Sequence, residues 1–183
     1  APRIVLATGG RTRRLAGIAD SPRIHHLRTV DDAERLRTTL GAGSRIAVVG
    51  GGFIGLEIAA TATGLGAQVT VVEQEQTILE RRLGPQMARY CAGLHRSNGV
   101  RFHCDVGVSD VAVGTDGVRL TLTDGTVLDV DDVIVGVDGA EFTGGCFAPL
   151  ADAIRRAEAG NGKLLLGSVA GLGGFSGVCA KFG

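Results

Sequence analysis

Tryptophan is absent from the 183 residues, and with one tyrosine and six phenylalanines the aromatic share is only 4%. Net charge is also missing. Nineteen basic and nineteen acidic side chains cancel, so no global field points to nucleic acid. Only two of the cations are lysines, Lys163 and Lys181. The four cysteines, Cys91, Cys104, Cys146 and Cys179, stand far apart. None forms a C-x-x-C pair or reaches zinc-ligand spacing with a histidine, so no metal site is expected. They read as buried or idle thiols in a reducing, cytoplasmic compartment. A long apolar run is lacking as well. The uncharged stretch 164–180 holds five glycines and two serines and falls short of the ~20 mainly apolar residues of a membrane span.

What the chain does have is glycine, 30 residues of it, more than twice the usual ~7%. There is no three-residue period, so a collagen helix is excluded. With 44% apolar and 21% charged residues the composition is neither disordered nor coiled-coil. A globular fold with close backbone approaches or tight turns remains. Charge is segregated along it: residues 1–30 hold six arginines and one aspartate, whereas 105–141 hold nine acids and only Arg119. No signal peptide opens the chain. Ala1-Pro2-Arg3 leads straight into an apolar run, like a start within a fold.

Residues 3–8 read as a buried strand turned by Gly9-Gly10, followed by an Arg-rich loop containing Pro22 and His25-His26. Arg11, Arg13 and Arg14 could meet an acidic partner there, but they read first as a solvated loop. Thr29 and Asp32 have capping-box spacing before a helix over 30–40. A strand at 45–49, a glycine turn, an Ala-rich helix at 53–65 and a strand at 68–73 come next. Pro85 suits the first turn of a helix ending at Asn98, with Gly99 beyond it. Short strands at 100–103, 107–113, 118–123 and 127–130 follow. Two of the joining turns are Thr115-Asp116-Gly117 and Thr123-Asp124-Gly125. A last core strand covers 132–137. This order is an α/β fold: a doubly wound parallel sheet flanked by helices, with a small antiparallel β-meander as an excursion.

Val48-Val49-Gly50-Gly51-Gly52-Phe53-Ile54-Gly55 is a G-x-G-x-x-G placed after a strand and opening a helix. Gly50 permits the turn, Gly52 lets a pyrophosphate approach the backbone, and Gly55 lets the helix pack closely on the sheet. Glu73 ends the next strand roughly 20 residues on, where an acid accepts hydrogen bonds from the hydroxyls of an adenosine ribose. It would repel a 2′-phosphate, and Gln74-Glu75-Gln76 offers no arginine to receive one. NADH is therefore expected rather than NADPH.

The run from Gly50 to Glu57, Ala59-Ala60-Thr61-Ala62 and Val69-Thr70-Val71-Val72-Glu73 resemble the NADH-binding domain of FAD-dependent pyridine-nucleotide oxidoreductases. Ile4-Val5-Leu6-Ala7-Thr8-Gly9 resembles that superfamily's "ATG" strand and turn. Leu27-Arg28-Thr29-Val30-Asp31-Asp32-Ala33 is similar to the linker and first helix of its NADH:ferredoxin reductases. The resemblance covers about residues 3–137. It implies a Rossmann-like fold, hydride transfer from NADH to FAD, and delivery of electrons to an iron–sulfur ferredoxin or rubredoxin. By position it places Glu57 near the nicotinamide, Val135, Gly136 and Val137 along the cofactor, and Ala7, Thr8 and Gly9 toward the FAD. Phe53, Ile54 and Gly51 fall within the nucleotide loop. No side chain of the chain is assigned the redox step itself.

The sequence also departs from that family. It carries no earlier FAD glycine motif and no Gly-Asp dipeptide, Asp138 stands where a second glycine belongs, and beyond Gly139 the likeness ends. The expected organisation is a flavin-domain remnant at 1–28, a NAD-binding domain at 29–139 and an atypical Gly-rich tail at 140–183. FAD is expected in the complete family fold but not retained by this chain. Other enzymes of the superfamily (a disulfide reductase, an NADH oxidase, a nitrite-reductase subunit), a non-enzymatic NADH-binding module and an inactive truncated product stand as alternatives. Neither nucleic acid nor membrane is expected as a partner.

Overall fold

The computed structural model describes residues 20–136 without a break, together with Ile4–Leu6, Arg11–Thr12, Arg14, Ile18, Ala140–Glu141 and Leu164–Leu166. The chain divides into two compact units, one formed by Ala1–Arg13 and Gly139–Gly183, the other by Arg14–Asp138. In the first unit, β1 (Ile4–Leu6) pairs in parallel with β12 (Leu164–Leu166). There β2 (Arg11–Thr12) pairs antiparallel with β11 (Ala140–Glu141). Two short strands, β11 and β12, thus fall within the Gly-rich tail at 140–183.

The second unit opens on β3 (Ile24–His26) and α1 (Val30–Thr39). The capping box forms as expected: the Asp32 N–H donates to Thr29 Oγ1, and Asp32 Oδ2 accepts from the N–H groups of Thr29 and Arg28. After β4 (Arg45–Val49), α2 (Phe53–Gly64) and β5 (Gln68–Val72) comes α3 (Glu80–Ser97). Gly84, at φ 75° and ψ 165°, breaks this helix just before Pro85. The proline therefore sits in the first turn of a helical segment, where its missing N–H costs nothing. Next are β6 (Arg101–His103), the three strands β7 (Val108–Val113), β8 (Val118–Leu122) and β9 (Val127–Val130), and finally β10 (Asp132–Val135).

Five strands make one parallel sheet in the order β3-β10-β4-β5-β6, and β7-β8-β9 make a separate antiparallel sheet. The parallel sheet, its flanking helices and the meander are those read from the sequence, but the sheet is not wound with helices on both faces. From β3 to β4 to β5 to β6 the chain always steps the same way across the sheet. Right-handed crossovers then put every connecting helix on one face. The return from β6 to β10 steps the opposite way, so the meander lands on the other face. The packing agrees. Ile46, Val48, Val69, Val71 and Ile134 meet Leu36 of α1 and Ile58, Ala59 and Ala62 of α2. Ala47, Val49 and Val133 instead meet Val118, Leu120 and Val130 of the meander. Both faces are covered, which is why β4 and β5 are buried from their second residue on, Thr70 included.

His25 and His26 lie on the edge strand β3, not in a loop. His25 Nε2 hydrogen-bonds Asp132 Oδ1 at 2.9 Å, a carboxylate 107 residues away in the chain. Burial, with the charge of Arg14 adding to it, holds His26 below the usual imidazole range. Arg14 itself is paired with Asp20 at 2.5 Å, while the side chains of Arg11 and Arg13 lie outside the described residues.

The capping box carries a pH signature. Burial works against the Asp32 carboxylate, but hydrogen bonds from Thr29 and Arg28, with the charge of Arg35, hold its pKa below the ordinary range. A depressed pKa means that the stabilisation is present above the unfolded-state value and is lost as pH falls through the folded one. Thr29→Ala is expected to lower the unfolding free energy by about 1 kcal/mol at neutral pH. For Asp32→Ala, the deficit against wild type in urea denaturation should shrink at acid pH; a pH-independent deficit would contradict the assignment.

Candidate dinucleotide-binding site

The site lies where the parallel strands end. One residue beyond each strand, the backbone continues the lateral pairing. The Gly136 N–H donates to the Val49 carbonyl (2.8 Å), the Gly50 N–H to the Val72 carbonyl (2.8 Å), and the Glu73 N–H to the His103 carbonyl (2.8 Å). Gly136, Gly50 and Glu73 therefore stand in a row across the C-terminal edge of the sheet, the edge at which open α/β sheets bind ligands.

Along this row the backbones approach too closely for side chains. Gly50 has φ +106°, which L side chains rarely adopt. A Cβ on Gly55 would land on the Gly50 carbonyl oxygen. One on Gly136 would come within 2.8 Å of the Gly55 Cα, and one on Gly51 within 2.6 Å of Ile78 Cγ2. The turn, the helix start and the end of β10 thus interlock through hydrogen atoms alone. Ile78, a buried side chain below the loop, escaped the sequence reading, which had no periodic signal in the segment after Glu73 to reveal it.

Glu73 is half-buried and held by both oxygens. Oε2 accepts the Gly51 N–H at 2.6 Å and Oε1 accepts the Glu75 N–H at 2.9 Å. The sequence placed this acid near the glycine turn; the structure ties it to the turn directly. Each carboxylate oxygen keeps a further lone pair for an outside donor.

Gly52 caps α2 with no side-chain hydrogen bond, and the helix has no acid in its first turn. Its leading N–H groups and the positive end of its dipole are uncontested by any side chain and suit a phosphate. Phe53 and Ile54 are half-buried in that turn, with Ile54 packed against the helix-side core, and Val135 is buried at the end of β10. Glu57 is exposed on the second turn of α2, beyond the reach of the dipole that the first turn would provide. Ala7, Thr8, Gly9, Val137 and Asp138 lie outside the described residues.

Other chemistry is thin. Cys91 and Cys104 are free, and burial pushes the Cys104 thiol up, away from an activated thiolate. Among the described residues no three His, Cys, Asp or Glu side chains gather as metal ligands. No helix among them is long and apolar enough to cross a membrane.

Residues 1–143 match the family described as pyridine nucleotide-disulphide oxidoreductase. The chain belongs to that family. The ferredoxin–NAD(+) reductase component of the p-cumate 2,3-dioxygenase system of Pseudomonas putida is 40% identical over 136 residues, 74% of this chain and 33% of that protein. Among solved structures, the ferredoxin reductase for the CYP199A2 system from Rhodopseudomonas palustris superposes with a TM-score of 0.73 at 38% identity. It covers 80% of this chain and 37% of that one. The reductase in a covalent putidaredoxin reductase–putidaredoxin complex gives 0.69 at 38% identity, covering 73% of this chain and 34% of that one. The chain thus spans about a third of the length of the family relatives it matches.

The glycine contacts sort the substitutions. Gly55→Ala and Gly136→Ala are expected to destabilise the fold by on the order of 2 kcal/mol or more through backbone clash. Gly93, in mid-helix with nothing within 4 Å of an added Cβ, should behave oppositely: Gly93→Ala should stabilise by about 0.5–1 kcal/mol. Thermal and urea melts of the three variants check this ordering. Equal effects at all three positions would count against the interlock.

Proposed function

We propose that the chain is the NADH-binding portion of a flavin-dependent oxidoreductase that passes hydride from NADH to FAD and electrons on to a ferredoxin-type acceptor. The observation that carries this reading is the Glu73 carboxylate fastened to the Gly51 N–H at 2.6 Å. It holds an acid for the adenosine ribose beside a glycine turn and a free helix N-terminus for the pyrophosphate. Family membership and the ferredoxin reductases among the relatives support the redox direction.

The protein's part is binding and orientation. The N–H groups after Gly50 receive the pyrophosphate, and Gly52 and Gly55 keep side chains out of its path. Glu73 accepts from the ribose hydroxyls and, as an anion, repels a 2′-phosphate. Phe53, Ile54, Val135, Gly136 and Val137 line the dinucleotide, and Glu57 lies toward the nicotinamide, where its carboxylate orients the carboxamide. Ala7, Thr8 and Gly9 belong to the flavin side. When bound, NADH supplies the hydride; no side chain of this chain reacts covalently.

In this reading residues 29–139 form the NAD-binding domain, 1–28 derive from the flavin domain and its linker, and 140–183 form an atypical tail. FAD is held weakly or not at all by the chain alone. The proposed setting is the cytoplasm, and the proposed partner is an iron–sulfur ferredoxin or rubredoxin.

Calorimetric titration of the purified chain with NADH and NADPH tests the site. NADH should bind about tenfold or more tightly, the difference a charge repulsion at the ribose can supply. Glu73→Gln should narrow that gap by weakening NADH while easing NADPH. Equal affinities in the wild type would overturn the role given to Glu73.

A further inference from the structure

Gln74-Glu75-Gln76 carries no arginine, but folding brings one to it. Arg81 Nη2 pairs with Glu75 Oε1 at 2.6 Å. The acid of this pair is fixed in place by its own backbone. The Glu75 N–H donates to Glu73 Oε1 at 2.9 Å, and the Glu75 carbonyl accepts the Asp105 N–H at 2.9 Å. One of these two bonds is made by the carboxylate assigned to the ribose.

Arg81 is placed from the other end of the same segment. A Cβ on Gly51 would meet the buried Ile78 at 2.6 Å and Glu73 Oε2 at 3.0 Å. Residues 73 and 78 therefore both lie against Gly51, and the chain between them forms a small ring at the sheet edge. Leu79 then takes φ 57°, a left-handed conformation that a leucine rarely adopts and that clusters around ligand sites. It turns the chain into a single helical turn, in which the N–H groups of Arg82 and Leu83 donate to the Leu79 carbonyl. From that turn Arg81 reaches back to Glu75.

An ion pair whose side chains are 80% and 41% exposed adds little to stability. Its effect on local charge is larger. With Arg81 neutralised by Glu75, the Glu73 carboxylate, whose hydrogen bonds come from backbone N–H groups, keeps its negative charge toward the ribose. Without the Glu75 charge, a guanidinium would stand within a glutamate side chain's reach of Glu73, and its planar fork suits a phosphate. We infer that the Glu75–Arg81 pair is a second determinant of coenzyme choice, in which Glu75 occupies the guanidinium that would otherwise receive a 2′-phosphate. The inference rests on the proposed NADH site and gives the two acids separable roles. Glu73 binds the ribose, whereas Glu75 acts through Arg81.

The test is calorimetric titration of the whole chain with NADH and NADPH, in wild type, Glu75→Gln, Arg81→Gln and the double variant. Arg81 projects from the surface, and the backbone bonds of residue 75 survive in glutamine, so all four proteins should melt alike. Glu75→Gln should tighten NADPH about three- to tenfold, the scale of one exposed charge contact, with NADH changed by less than about twofold. That gain should shrink as salt rises and vanish in the double variant, because it needs the released guanidinium. Arg81→Gln alone should keep or widen the NADH preference. A gain of equal size in the double variant assigns the effect to lost negative charge alone and overturns the role of Arg81. A preference lost in Arg81→Gln overturns it as well. Wild type that prefers NADH, with NADPH affinity unmoved in Glu75→Gln, sinks this inference and leaves the site reading standing. Wild type that binds neither dinucleotide, or both equally, sinks the site reading and this inference with it.

Discussion

Everything at the ligand edge depends on three backbones meeting without side chains between them. Gly50, Gly55 and Gly136 come from the turn after β4, the start of α2 and the end of β10, and each occupies space that a Cβ would deny to another. Their contact lets the helix N-terminus settle over the sheet edge and brings the end of β10 alongside it. The same closeness holds the Gly51 N–H within reach of Glu73. A wider spacing would move the acid, the turn and the helix dipole apart. The interlock is short-ranged, so it acts by steric exclusion rather than by attraction. Its rigidity comes from the covered sheet beneath.

That sheet obtains its two covers by handedness. Successive steps in one direction send α1, α2 and α3 to one face, and the single reverse step sends the meander to the other. The meander is therefore the second lid of the core rather than a decoration, and Val118, Leu120 and Val130 pack directly on Ala47, Val49 and Val133. Covering both faces frees the C-terminal edge for chemistry.

The element order was legible because each segment carries its own period or punctuation. The capping box at Thr29 and Asp32, the proline that restarts α3 at Pro85 and the Gly125 turn at φ +85° each express a local preference that tertiary packing did not overrule. The glycine motif and Glu73 were legible for a different reason: a tight turn between a strand and a closely packed helix demands glycine at fixed spacing, and Glu73 directly ends the next strand. What was not legible involves partners distant in sequence. His25 read as part of a loop because nothing near it announces Asp132. Ile78 read as nothing because its role is to fill the space under Gly51.

By itself, then, the sequence determined the α/β class, the position of the glycine turn and the acid that ends the next strand, all of which follow from local chemistry and spacing. Only the tertiary structure decided which face each layer covers and that Glu73 is fastened to the turn. It also decided that α3 buries its alanines while exposing Met87, Tyr90 and Leu94. The physical reason is common to all three. A helical or extended period says that a segment has an apolar side, but which surface that side meets depends on crossover handedness and close packing between segments far apart in the chain.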